Sequence, residues 1–269
     1  MNVLILTDFS EVAENAGNYA LQFLKEVPVN FYLLNIELFN SGGRAQVGVT
    51  GGKKLALEKL KTRVEELQKS TTNKEHNFAF FYSENNLVDA TRKFAEEKRV
   101  DLILMGAVRS SCSENTMLGN HTYEIIKKVK CNLLAVPENI QYKEPEKILI
   151  PIDRTASLDG GMFRFLDHPG MVKNVSVSVM EIVDSPNSSN SALEPGKGLL
   201  SQLNNVSVEV IQVKNSDIYK KDLLKKMQKK FDIIVILGKN ISVCDRLLHT
   251  EHGIYTSISN KLPILMLHK

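Results

Sequence analysis

At 269 residues, with 43% hydrophobic and 24% charged side chains, the chain has the composition of a globular protein and length enough for two domains. A formal net charge of +3 is too small to argue for nucleic acid or an anionic membrane as a partner, and no apolar run approaches the ~20 residues that span a bilayer. The cysteines, Cys112, Cys131 and Cys244, share no metal-ligand spacing and form an odd set, which fits a reducing cytoplasm.

Val3 to Leu6 reads as a short apolar strand ending in Thr7-Asp8; with no basic segment before it, it is a first strand and not a signal peptide. Ser10 is placed to cap a helix whose apolar side carries Ala13, Ala16, Ala20 and Leu24. Pro28 stops that helix, and Phe31 to Ile36 gives a second strand. A glycine-rich stretch from Ser41 to Gly52 precedes a charged helix, Leu55 to Lys69, with Leu57, Leu60, Val64 and Leu67 at helical spacing. Phe78 to Tyr82 predicts a third strand, and Leu87 to Lys98 a third helix. Leu102-Ile-Leu-Met105 is a strand apolar on both faces, as in parallel sheets covered by helices. It stops at Gly106, runs through a small polar loop to Gly119-Asn120, and meets a helix with Ile125, Ile126 and Val129 on its apolar side. Asn132 to Val136 closes the pattern as a fifth strand. Strands alternating with helices argue for an α/β, doubly wound parallel sheet.

The pattern then repeats. Residues 1–138 form a first domain, 139–146 a polar linker containing Pro145, and 147–269 a second domain. Lys147-ILIPID resembles Asn2-VLILTD, Phe231-DIIVILG resembles Val100-DLILMG, and Lys261-LPILML resembles Lys130-CNLLAV. Asp8 matches Asp153 at an offset of 145, and Gly106 matches Gly238 at 132. The expected architecture is therefore two tandem five-stranded sheets in a Rossmann-like arrangement.

Strand, glycine, small polar loop, glycine and helix start is the layout of a phosphate cradle, in which backbone N–H groups and a helix N-terminus face an anion. A tandem chain with an Asp ending strand one, a glycine ending strand four and a glycine opening the last helix resembles the universal stress proteins. That resemblance implies an adenine nucleotide alpha-hydrolase-like fold, strand order 3-2-1-4-5 in each half, and the final strands Asn132–Val136 and Pro263–Leu267 meeting between the halves. It also implies ATP or AMP, with Mg accompanying the nucleotide, bound in the first half. Leu6, Thr7, Asp8, Ile36 and Met105 would line the base and ribose pocket. The nucleotide-binding branch of that family carries Gly, two residues, Gly, nine residues, Gly, then Ser or Thr. Here Gly106 and Gly119 fit, Arg109 stands at the second glycine, and Asn120 replaces the Ser/Thr. His121 would lie near the phosphates.

Arg109 gives up a glycine's backbone freedom but brings five donors that can hold a phosphate from the side. Asn120 keeps a short polar group at the helix start. In the second copy Ile241 falls at the second-glycine position and Thr250 or Glu251 at the third, so that half reads as structural. Asp8 either hydrogen-bonds a ribose or base, or caps the first helix. The lysines between 220 and 230 read as the solvated face of a helix. No nucleophile elbow, metalloprotease motif or Walker A lysine is present, so the expectation is a regulatory protein with at most slow ATP hydrolysis. Its expected partners are the nucleotide, the other half of the same chain as a built-in dimer, and a second copy. The alternative is a scaffold that binds no nucleotide and acts through protein partners.

Overall fold

Runs of β-branched and aliphatic residues form ten strands: β1 (Asn2–Leu6), β2 (Val29–Ile36), β3 (His76–Ser83), β4 (Leu102–Gly106), β5 (Asn132–Val136), β6 (Lys147–Ile152), β7 (Ser176–Val183), β8 (Ser207–Lys214), β9 (Ile233–Leu237) and β10 (Ile264–Leu267). Among the described residues five helices accompany them: α1 (Glu11–Phe23), α2 (Gly52–Ser70), α3 (Leu87–Glu97), α4 (Asn120–Lys128) and α5 (Lys221–Lys230). The structure is a computed structural model that describes residues 1–37, 52–107, 120–153, 165–166, 175–183, 207–214, 221–238, 243 and 261–268.

The strands make one sheet in the order β3-β2-β1-β4-β5-β10-β9-β6-β7-β8. Each half follows the order 3-2-1-4-5 and is parallel throughout. The halves join through β5 and β10, which pair antiparallel with Leu134 opposite Leu265 and Leu133 opposite Met266. The expected meeting of the last strands is therefore observed, and it removes two sheet edges that would otherwise expose unpaired backbone. The outer edges of the sheet are β3 and β8.

Two cores lie on opposite faces. One gathers Val3, Ile5, Leu102 and Leu104 beneath Ala16 and Ala20 of α1, Leu24 at its C-cap, and Leu60, Val64 and Leu67 of α2, and continues through Ile148, Ile150 and Val235. The other packs Leu4, Leu6, Ile103 and Met105 against Val88 and Phe94 of α3 and Ile125, Ile126 and Val129 of α4. Each fully buried leucine contributes about 1.5–3 kcal/mol, and both faces of the central strands carry them. On α5, Met227 is buried while Lys225, Lys226, Lys229 and Lys230 are exposed, a solvated face as expected.

Two departures from the sequence reading have physical causes. β2 begins at Val29, ahead of the predicted Phe31, because the Val29 N–H donates to Glu75 O (3.3 Å) and the Asn30 N–H to Met1 O (2.9 Å). Backbone pairing, not apolarity, sets that end. The second concerns the repeat. Val3 of β1 pairs with Leu102 and its counterpart Ile148 of β6 with Ile233, so β4 and β9 correspond at an offset of 131. Leu237 thus occupies the place of Gly106, and Gly238 that of Ala107. Hydrogen bonds agree: the Ala107 N–H donates to Val136 O (2.8 Å) and the Gly238 N–H to Leu267 O (2.7 Å). The match of Gly106 with Gly238 is off by one residue.

Candidate functional site

In an open α/β sheet, ligands settle outside the carboxyl ends of the strands, where neighbouring crossovers diverge. In the first half that place lies between β1 and β4. β1 ends in Leu6 and the buried Thr7, whose hydroxyl accepts the Phe9 N–H (3.0 Å). Phe9 is left-handed, with φ 61°, and turns the chain into α1. Asp8 is exposed, and its Oδ1 accepts both the N–H (3.0 Å) and the hydroxyl of Ser10. Ser10 takes the extended N-cap backbone, and its carbonyl accepts the Glu14 N–H (2.9 Å), but its side chain makes no cap bond because the hydroxyl is turned to Asp8. Asp8 therefore organises the start of α1, whatever else it contacts.

The apolar members are close together. Leu6, Ile36 and Met105 belong to one core cluster and are 6%, 8% and 7% exposed. Behind them Asn35, buried in β2, donates through Nδ2 to the Thr7 carbonyl (2.8 Å) and fixes the ends of β1 and β2 together. On the rim, the Tyr82 hydroxyl donates to the Glu37 carboxylate; burial and this bond push the tyrosine pKa up to about 12. Lys53 reaches Glu84 (3.2 Å) and lies 5.6 Å from the centre of the Tyr82 ring.

At the end of β4, Gly106 is demanded by packing. A Cβ there would stand 2.7 and 2.9 Å from the Val12 methyls and 3.1 Å from the Val12 carbonyl carbon, so a side chain would force α1 away. Thr122, 3% exposed in the first turn of α4, donates its hydroxyl to Gly106 O (2.8 Å) and holds the start of α4 at the mouth. Asn120 is the first residue of α4, and His121 is exposed beside it. Arg109 and Gly119 lie outside the described residues, as do Ile241, Thr250 and Glu251 of the second half.

The structure thus brings Leu6, Thr7, Asp8, Ile36, Met105, Gly106 and the start of α4 to one edge. The sequence reading missed Val12, Asn35 and Thr122. Asn35 leaves a trace, a polar residue inside an apolar run; Thr122 and Val12 leave none beyond their helix positions. Among the described residues no group of three or more His, Cys, Asp or Glu could hold a metal ion. No helix among them is long and apolar enough to cross a membrane.

Fold and edge geometry define an α/β protein of the doubly wound class, with Leu6, Thr7, Asp8, Ile36, Met105 and Gly106 gathered at the carboxyl edge of its first half. The universal stress protein family profile matches residues 1–137, half of the chain. The chain belongs to that family. Comparison with curated proteins returns no match. Among solved structures, a universal stress protein from Archaeoglobus fulgidus DSM 4304 aligns over 100% of this chain and 96% of its own, at 14% identity and TM-score 0.66. The cytoplasmic domain of a prokaryotic cation chloride cotransporter aligns over 100% and 95%, at 14% identity and TM-score 0.52. A universal stress protein in complex with cAMP aligns over 52% and 98%, at 17% identity and TM-score 0.40.

Proposed function

We propose that this is a cytoplasmic stress-response regulator that binds an adenine nucleotide, ATP or AMP, in its first half and does not turn it over at an appreciable rate. The observation that carries the reading is the Thr122–Gly106 bond, which holds the N-terminus of α4 at the carboxyl end of β4. A helix start in that place offers unpaired N–H groups and a partial positive charge to phosphates. The base and ribose would lie towards Asp8 and Ile36, with the phosphates between Gly106 and Gly119 and Arg109 contributing a charge-assisted contact. Mg accompanies the nucleotide and no separate metal is needed. The halves act together as a built-in dimer, and a second copy associates through the remaining surfaces.

The test is direct. Denatured, purified protein should release adenine nucleotide detectable by mass spectrometry, or nucleotide-free protein should give heat on titration with ATP. Neither release nor heat would sink the reading.

A second reading has one observation in its favour. Packing against Val12 accounts for Gly106 without any ligand. On that reading the chain is a scaffold that acts through protein partners, and Arg109 blocks the cradle. Binding by Arg109→Gly but not by the wild type would select it.

A further inference from the structure

α2 packs on β3 and presents two unlike flanks. Its buried line is Leu60, Val64 and Leu67. On one side of that line Arg63 Nη2 donates to the Glu14 carbonyl (2.8 Å) and to Asn18 Oδ1 (2.9 Å). Lys59 on the same side lies 5.4 Å from the centre of the Phe9 ring, so this flank faces α1. Helical spacing puts Lys54, Leu57 and Lys61 on the other side, where β3 is the last strand of the sheet. Lys53, Lys54, Leu57, Glu58, Lys61 and Phe80 of β3 line a groove there of about 530 Å³.

The groove opens beside unpaired backbone. The Val29 N–H donates to Glu75 O (3.3 Å) and the Glu37 N–H to Ser83 O (2.9 Å), so the odd-numbered residues along β3 turn their polar groups to β2. Alternation then turns the N–H and C=O of Phe78, Phe80 and Tyr82 outward. Among the described residues no strand pairs with that edge. The Phe80 backbone thus faces the open edge, while its half-buried ring lines the groove. Lys54 and Lys61 are exposed, and among the described residues neither has an ion-pair partner, whereas Lys53 is held by Glu84. Lysines beside an edge strand keep like edges apart, and the same charge selects an occupant of opposite sign.

We propose that the outer edge of β3 takes up an extended acidic segment of a protein partner as an added strand. The partner's backbone pairs with the outward N–H and C=O groups of Phe78, Phe80 and Tyr82. Every second side chain of the segment then lies on the α2 side. Lys54 and Lys61 stand two helical turns apart, about 10 Å, and a strand covers about 13 Å in four residues. Long lysine side chains bridge that difference, so carboxylates four residues apart reach both. An apolar residue midway between the carboxylates covers Phe80 and Leu57. The surface is separate from the carboxyl edge of β1 and β4 and does not rest on nucleotide binding there.

The experiment uses the full, nucleotide-free chain and a fluorescent peptide of sequence TETVTET with blocked ends, followed by anisotropy. The wild type should bind it at low salt and release it as salt rises. The double variant Lys54→Glu, Lys61→Glu should bind about tenfold more weakly, and so should the peptide TKTVTKT to the wild type. A TETVTET peptide N-methylated at every residue keeps its charge but loses its donors, and should not compete. Decanoate, an apolar chain with one carboxylate, should not displace the peptide either. The peptide and decanoate controls need only the wild type, which keeps the proposal testable if the variant fails to fold. No binding at about 1 mM peptide, unchanged affinity in the double variant, equal binding of TKTVTKT or of the N-methylated peptide, or displacement by decanoate would each overturn it.

Discussion

The Cβ that Gly106 lacks would lie 2.7 Å from Cγ2 of Val12. The glycine that ends β4 is therefore a contact between strand and helix before it is part of any binding site. Gly106→Ala should cost about 1–3 kcal/mol of stability through overpacking. Combining it with Val12→Ala should cost less than the sum of the two single changes, because each relieves the other's misfit. Chemical denaturation of the four proteins measures the coupling, and simple additivity would count against this contact.

Asp232 ties the linker to the second half. Its Oδ2 accepts the N–H groups of Glu146 and Lys147 (both 2.9 Å), and its Oδ1 accepts from Lys143 Nζ (3.3 Å). Burial would raise its pKa, but these three bonds outweigh it and hold the carboxyl below its ordinary 3.8. The stability this brings is present above pH 3.8 and is lost as pH falls through the lower, folded value. Asp232→Ala should cost about 1–3 kcal/mol at neutral pH, and the deficit should shrink in acid. A deficit that persists unchanged at pH 2 would show the loss to be one of packing alone.

His268 lies against Gly238, whose missing Cβ would come within 2.6 Å of the ring Nδ1. Burial, then the Lys130 charge, lowers its pKa from 6.5, so the folded protein favours the neutral ring. An unfolded histidine takes its proton at about 6.5, so folding stability is full above that pH and falls as pH drops towards the lowered folded value. His268→Phe keeps a ring of similar size and should flatten the change in unfolding free energy between pH 7.5 and pH 5. Identical pH slopes for the two proteins would refute this.

Arg109 separates the two functional readings. If it holds a phosphate, Arg109→Ala should weaken ATP by about 1.5–3 kcal/mol and adenosine by less. Rising salt should narrow the gap between the two ligands, because an exposed ion pair is screened. Titration calorimetry at two salt concentrations reads both effects, and equal losses for ATP and adenosine would remove Arg109 from the phosphate site.

The buried strands were legible because Leu102 to Met105 and Asn132 to Val136 are apolar on both faces, while their order and the joining of the halves came from the resemblance to the universal stress proteins and not from the pattern itself. The offset of the repeat was not. A glycine is conspicuous, and it drew Gly106 onto Gly238, whereas Asp101 and Asp232 carry the true correspondence. The Asn2 N–H donates to Asp101 Oδ2 (2.7 Å), as the Lys147 N–H does to Asp232. Of the candidate site, the chain positions of Thr7, Asp8 and Met105 could be read, since a strand end has a fixed place in this topology. The roles of Val12, Asn35 and Thr122 could not, because each depends on which helix or strand comes within 3 Å, and a linear pattern does not hold that information.

The antiparallel meeting of β5 and β10 fixes which way the carboxyl edge of each half faces. All strands of the first half run one way and all strands of the second the other, so their carboxyl edges open on opposite margins of the sheet. The described residues at one carboxyl edge therefore stand at the far margin of the sheet from those at the other. The molecule is two-ended, with the carboxyl edge of each half at the opposite margin of one sheet. Such a chain can hold two unlike neighbours apart by the full width of a strand, and changes at one mouth can accumulate without disturbing the other.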